Sequence, residues 1–300
     1  MIVNGIAIDD TFAEGFPMKA TRLIITAQTL EWAYHSARAM TGFATSVIGC
    51  GCEAGIEREL SPQDTPDGRP GVSVLIFAMG VKSLTKQVEV RAGQCVLTAP
   101  TSALFAGLHE GTPLPLGQYL RYYGDGFQIS KKIGGRRFWR IPVMDGEFLI
   151  EEMGYIVDAV GGGNLLVLAK SQPQALAACE AAVKAMRRLP NVILPFPGGV
   201  VRSGSKVGSK YKGQNASTND AFCPTLKGVT KTQLSPEIGS VMEIVIDGLS
   251  REDVEQAMRV GIETICTYGA KSGVRRISAG NYGGKLGPFH FHLHQIMSLC

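Results

Sequence analysis

The chain has 300 residues, 45% of them apolar and 19% charged, with a formal net charge of +4. That composition excludes a disordered chain and leaves room for one large domain or two ordinary ones, each with its own core. There is no run of about eighteen apolar residues, and the start M-I-V-N-G-I-A-I-D-D lacks the basic segment of a signal peptide, so the expectation is a soluble, cytoplasmic protein without a membrane partner. Seven cysteines, scattered and mostly in apolar runs, read as reduced thiols rather than a disulfide framework. The Asn215-Ala216-Ser217 sequon carries no meaning without export.

In chain order, residues 21–27 (T-R-L-I-I-T-A) read as a strand, and Thr29 caps a helix with Leu30, Ala33, Ala37 and Met40 at helical spacing, stopped near Gly42. Residues 45–49 read as a second strand, a polar loop follows, and residues 72–78 form a third. Residues 81–91 predict a helix with Leu84 and Val88 inward, and residues 94–98 a fourth strand. The second half repeats the order. Residues 164–170 are a strand, and Ser171 caps a helix with Pro173 near its start and a stripe of Leu176, Cys179, Val183 and Met186. Residues 192–194 and 240–248 are strands, a helix from Arg251 buries Val254, Ala257, Met258, Ile262 and Ile265, and residues 274–279 return as a strand.

Each half therefore reads β-α-β, long loop, β-α-β, which is the split βαβ plan of ferredoxin-like folds. The expected class is α+β, with two ferredoxin-like lobes whose antiparallel sheets carry helices on one face. The lobes are placed at 1–150 and 151–300, with the boundary near 150–163 and an insertion at about 111–146.

Residues 240–250 (S-V-M-E-I-V-I-D-G-L-S) hold the most informative acid. With a period of two, Met242, Ile244 and Ile246 face one side, while Val241, Glu243, Val245 and Asp247 face the other. If the second face lines a cleft away from water, desolvation raises the Glu243 pKa and makes it a proton donor near neutral pH. The competing reading is an ionised, idle carboxylate on an exposed sheet face, which spacing alone favours.

Charge is clustered. Arg202, Lys206, Lys210, Lys212, Lys227 and Lys231 face only Asp220 in their stretch, and Arg121, Lys131, Lys132, Arg136, Arg137 and Arg140 face only Asp125. Such fields attract anions. With only Tyr211 and Phe222 near the first cluster, a base-stacking platform is a weak reading, and no nucleic-acid partner is expected.

Gly161-Gly162-Gly163 is followed by a strand and does not complete a dinucleotide fingerprint, and 204–210 lacks the Gly-Lys-Ser/Thr of a P-loop. His290, His292 and His294 alternate on an expected strand and would share one face. No convincing further ligand lies beside them apart from distant Cys300, so no metal is expected. Cys50-Gly51-Cys52 has neither redox nor zinc spacing. The Gly-rich stretches at 195–199, 203–208 and 278–287 each follow an expected strand of the second lobe, where backbone N–H groups can approach a ligand closely. Any one of them reads equally as a surface loop, but three near Glu243 favour a site.

Together these stretches resemble a known family. T-F-A-E-G-F-P from Thr11, T-P-D-G-R-P-G from Thr65, G-Q-C-V-L-T from Gly93, P-F-P-G-G from Pro195, S-G-S-K-V-G from Ser203, C-P-T-L-K-G from Cys223, E-I-V-I-D-G from Glu243 and I-S-A-G-N-Y-G-G-K-L-G from Ile277 are similar to formylmethanofuran:tetrahydromethanopterin N-formyltransferases, in order and over nearly the whole chain. The resemblance implies a two-lobed fold, named proximal for the N-terminal lobe and distal for the C-terminal one, and a homo-oligomer, dimeric or tetrameric. It implies formyl transfer between methanofuran and tetrahydromethanopterin as co-substrates, with no prosthetic group, and a catalytic Glu243. The mildly basic charge departs from the acidic methanogen enzymes and looks like the methylotroph branch, where the related protein is a subunit of a formyltransferase/hydrolase complex delivering formate. Substrate contacts are expected from Ser205, Lys206, Lys210 and Lys212, then Asn281 and Lys285, with the lysines taking carboxylate-bearing tails. A scaffold or anion-binding subunit that leaves the chemistry to a partner is the alternative.

Overall fold

A computed structural model of the chain describes residues 1–202, 204–214 and 216–298. It is a mixed α+β fold with predominantly antiparallel strand pairs. Two compact units divide it: Met18–Ala159, and Met1–Pro17 with Val160–Cys300. The first seventeen residues thus fold with the second half, not with the N-terminal half to which a boundary near residue 150 assigns them. Among the described residues no helix is long and apolar enough to cross a membrane.

In the Met18–Ala159 unit the central strands run Ala103–Ala106, then the end of Phe12–Thr26, then Gly71–Ala78, then Glu53–Leu60, each antiparallel to the next. Helix Leu30–Thr41 starts at Thr29, whose hydroxyl accepts from the Trp32 N–H, and buries Ala33, Ala37 and Met40. Helix Val81–Arg91 buries Leu84 and Val88. Both stripes share one core with Leu23, Ile25, Val72, Val74 and Ile76, the alternate residues of the two central strands.

Two expected strands are not strands. Residues Val47–Cys50 form a helical turn, because the Ser46 hydroxyl accepts from Ile48 N–H, the Glu53 carboxylate accepts from Val47 N–H at 3.0 Å and Gly51 ends the turn at φ 79°. The strand comes later, at Glu53–Leu60, where the sequence looks polar because two of its buried positions, Glu53 and Glu57, are acids with partners. Glu57 accepts from Arg22 Nε and Nη2, each at 2.7 Å, and from the Ser73 hydroxyl at 2.6 Å. Residues 94–98 extend the preceding helix instead, as the π turn Ala92–Val96 with Leu97 N–H reaching the Ala92 carbonyl at 2.9 Å. Ser36 and Ser102 hydroxyls bond the Cys95 and Val96 carbonyls and hold that turn.

The region around 111–146 does carry strands: Thr112–Pro115, Ile129–Ile133 and Arg136–Val143. Three of its arginines meet acids on the following strand, Gly146–Glu151, or just after it at Glu152. Arg140 pairs with Glu147, Arg136 with Glu151 at 3.3 Å, and Arg137 with Glu152 at 3.3 Å. Antiparallel pairing of Arg136–Val143 with Gly146–Glu151 brings these charges together, so much of this basic field is neutralised locally.

In the other unit the strand order is Val274–Ser278, the end of Met153–Ala169, Ser240–Gly248, Val192–Ile193, again antiparallel throughout. Helices Gln172–Met186 and Arg251–Thr267 pack on Leu165, Val167, Met242, Ile244 and Ile246. The second helix buries Val254, Ala257, Met258, Ile262 and Ile265 and is capped by Ser250, which accepts from Asp253 N–H. Leu176, expected inward, is 40% exposed, and Ala175, Ala178 and Ala182 occupy the buried stripe with Cys179, Val183 and Met186. Small residues there let the two helices approach closely: at Gly261 a β-carbon would lie 1.9 Å from the Met186 methyl.

Candidate active site

Parity on strand Ser240–Gly248 decides where Glu243 goes. Met242, Ile244 and Ile246 point to the helices, so Glu243 points to the opposite face of the sheet. In register it lies beside Leu166, and Leu166 lies beside Ser278, so the three form a row across three strands. On its other side Glu243 exchanges backbone hydrogen bonds with Val201, at 2.7 and 2.8 Å.

That face is not bare. The row opens into a cavity of about 520 Å³ whose lining includes Glu243, Leu166, Ser278, Asn164, Phe222 and Tyr282. Leu166 and Leu168 also pack with Leu234 and Ile238, so an apolar patch adjoins the acid. Among the described residues no donor bonds the half-buried Glu243 carboxylate. Burial away from water pushes its pKa up to about 7, so near neutrality a large share of it is an uncharged acid with a proton to give. The fold does not leave this carboxyl on an open sheet face: it is half-buried and lines the cavity.

Of the other expected site residues, Ser205, Lys206 and Asn281 line the same cavity, whereas Lys210, Lys212 and Lys285 are exposed and outside its lining. Lys206 already bonds Asp220 at 2.5 Å. Asn281 is engaged with the N-terminal segment: its amide donates to the Thr11 hydroxyl at 3.2 Å and the Phe12 carbonyl at 3.1 Å. Asp9 and Asp10 also line the cavity, so its wall is not the cationic field that the lysine count implies. Ser203 of the S-G-S-K-V-G stretch and Asn215 of the sequon lie outside the described residues.

Sequence reasoning passed over Asn164 and Glu14. Asn164 bonds Gly280 twice, accepting from its N–H at 2.6 Å and donating to its carbonyl at 3.0 Å. Glu14, only 1% exposed, accepts four backbone N–H groups from residues 282–287. Its signal was available: one acid inside the apolar run T-F-A-E-G-F-P, in a chain with a long Gly-rich loop needing an acceptor.

The three histidines do not share a face. His290 and His292 lie on strand Phe289–His292, but His294 falls on helix Leu293–Ser298, because the chain turns helical at Leu293. There it bonds the Ile8 carbonyl at 2.9 Å and faces Asp10 at 3.5 Å. Among the described residues no group of three or more His, Cys, Asp or Glu side chains could hold a metal ion, and Cys300 lies outside them.

Comparison with known proteins adds the family. The family model described as formylmethanofuran-tetrahydromethanopterin formyltransferase matches residues 1–143, and one described as FTR, proximal lobe, matches residues 146–296. A formylmethanofuran–tetrahydromethanopterin formyltransferase of Methylococcus capsulatus is 75% identical over 298 residues, covering 99% of this chain and 100% of that protein. The chain belongs to this formyltransferase family. Solved structures agree with the membership. A chain in the crystal structure of the formyltransferase/hydrolase complex from Methylorubrum extorquens in complex with methylofuran is 52% identical, with a TM-score of 0.97 over 99% of this chain and 98% of that one. The formyltransferase of Methanosarcina barkeri is 47% identical, with a TM-score of 0.93 over 99% of this chain and 100% of that one. In this formyltransferase the lobe names run opposite to expectation, since the model described as the proximal lobe matches the C-terminal part.

Proposed function

We propose that this chain moves a formyl group between N5 of tetrahydromethanopterin and the amine of methanofuran, with Glu243 as the acid of the reaction. Its similarity over the full length of named formyltransferases supports the reaction class. The observation that carries the mechanism is a carboxyl lining a cavity, without a partner among the described residues, its pKa pushed up to about 7 by burial. When the attacking nitrogen adds to the formyl carbon, the C=O becomes an alkoxide in a tetrahedral intermediate. Collapse breaks the other C–N bond; the leaving nitrogen takes up a proton and the attacking nitrogen gives one up, so the proton count is unchanged and a carboxyl that donates the first is restored by the second. A neutral Glu243 supplies an O–H either to the developing oxyanion or to that nitrogen. The apolar patch of Leu166, Leu168, Leu234 and Ile238 limits water around the intermediate.

Within this reading each unit is a ferredoxin-like lobe. The strand order fourth, first, third, second, found separately in each unit with two helices packed on it, supports that assignment. The relative from Methylorubrum extorquens sits in a complex with a hydrolase, which supports the same kind of partnership here, alongside a dimer or tetramer of this chain.

Incubating the purified chain with formylated methanofuran and tetrahydromethanopterin tests the function directly. Formyl exchange is expected, and its absence with and without the hydrolase partner would favour a scaffold. Lys206 is the best candidate among the lysines for a carboxylate-bearing tail, since it lines the cavity. Lys206→Ala is expected to raise KM and flatten its dependence on salt, whereas Lys210→Ala and Lys285→Ala should change KM less.

A further inference from the structure

Residues 278–282 line the Glu243 cavity, and the chain runs directly on through 283–287 without regular secondary structure. A stretch of this kind has backbone N–H groups that no ladder satisfies. Four of them converge on one carboxylate. Glu14 accepts from Tyr282 at 2.7 Å and Gly284 at 2.9 Å through one oxygen, and from Leu286 and Gly287, both at 2.6 Å, through the other. The approach is close enough to need glycine: a β-carbon on Gly287 would lie 2.1 Å from the Gly15 carbonyl oxygen. Burial alone would raise the Glu14 pKa, but the four N–H bonds outweigh it and hold the acid below its ordinary range. Two further ties fix the start of the loop, Asn164 to Gly280 and Asn281 to Thr11 and Phe12.

We propose that Glu14 is a positioning residue of the active site: its carboxylate fixes residues 280–287 in the conformation that presents Gly280, Asn281 and Tyr282 to a carrier molecule bound over Glu243. The proposal rests on the cavity being the formyl-transfer site. Its chemistry depends on an anion. A glutamine at position 14 has one acceptor oxygen and turns an NH₂ toward backbone N–H groups, so two of the four bonds are lost and donors face donors. The loosened loop must then be ordered when a carrier binds, which weakens binding. Glu243 lies on another strand and keeps its proton, so the chemical step is spared.

Glu14→Gln and Glu14→Asp in the full chain test this, with KM and kcat for both carriers, carrier Kd by calorimetry, and amide hydrogen exchange of the ligand-free protein. The glutamine variant is expected to raise Kd and KM for at least one carrier about ten-fold or more, with kcat within about three-fold. Exchange should quicken across 280–287 and stay unchanged in Ser240–Gly248, and the aspartate variant should fall between. Unchanged Kd and KM beside a loosened loop would overturn the proposal, as would an unaltered loop or a loss confined to kcat. Failure of both variants to fold would assign Glu14 to stability and also overturn it. Calorimetry needs no turnover, so a failed formyl-transfer reading would appear as absent exchange of formyl in the unaltered chain while the Kd comparison still scores Glu14.

Discussion

Glu243→Gln is expected to lower kcat by about 10²–10³-fold while KM for either carrier changes little. The amide keeps the shape of the side chain, so the cavity and its contacts with bound carriers survive. What it cannot do is release a proton to the leaving nitrogen, and its N–H is a weaker donor to an oxyanion than a carboxylic acid. An effect confined to the intermediate appears in kcat rather than KM. The same logic sets the pH profile: the active form carries the proton, so with a pKa pushed up to about 7, kcat should decline above that value. Near-normal kcat in both Glu243→Gln and Glu243→Ala would remove the acid from the mechanism.

The same substitution should make the protein more stable in alkaline solution. In the unfolded chain a glutamate releases its proton near about pH 4.3, whereas burial holds that of Glu243 to about 7. Between those values the native state keeps a proton that the unfolded chain has lost, so wild-type stability falls as pH rises through this window and is level above it. The accumulated loss is at most about 4 kcal/mol, and less to the extent that water reaches the half-buried carboxyl. A glutamine has no proton to lose. Relative to wild type, Glu243→Gln should therefore gain stability from about pH 4.5 upward and hold the full gain above about pH 7. Urea midpoints at acid and alkaline pH would measure it, and an advantage that does not grow with pH would mean the carboxyl titrates as an exposed one does. A less active but sturdier variant is the signature of a group kept in an uncomfortable place for its chemistry.

How legible all this is in the sequence depends on how local the cause is. Thr29, Ser250 and the stripe Val254 to Ile265 were readable because caps and helical spacing act over a few residues. Residues 45–49 and 94–98 misled because short apolar runs suit a strand or a helix equally, and the outcome turned on distant partners: Glu53 for one, Ser36 and Ser102 for the other. Glu53–Leu60 was hidden for the opposite reason, since its inward Glu57 is tolerable only because Arg22 and Ser73 meet it. In the site, parity was enough to place Glu243 away from the helices, but not to reveal that its face is roofed. Counting lysines overstated the basic field, because Asp220 answers Lys206 and three glutamates answer the arginines near residue 140. Glu14 escaped because a carboxylate and the four amides it binds stand some 270 positions apart.

The alternation on Ser240–Gly248 also limits how this segment can drift. Losing or gaining one residue ahead of position 243 would exchange the sheet's two surfaces: the acid would be driven among the helices, and Ile244 after a loss, or Met242 after a gain, would stand where the proton is needed. Length changes there are survivable only in pairs, so indels in this strand should be rejected even where single substitutions at its outward valines are tolerated.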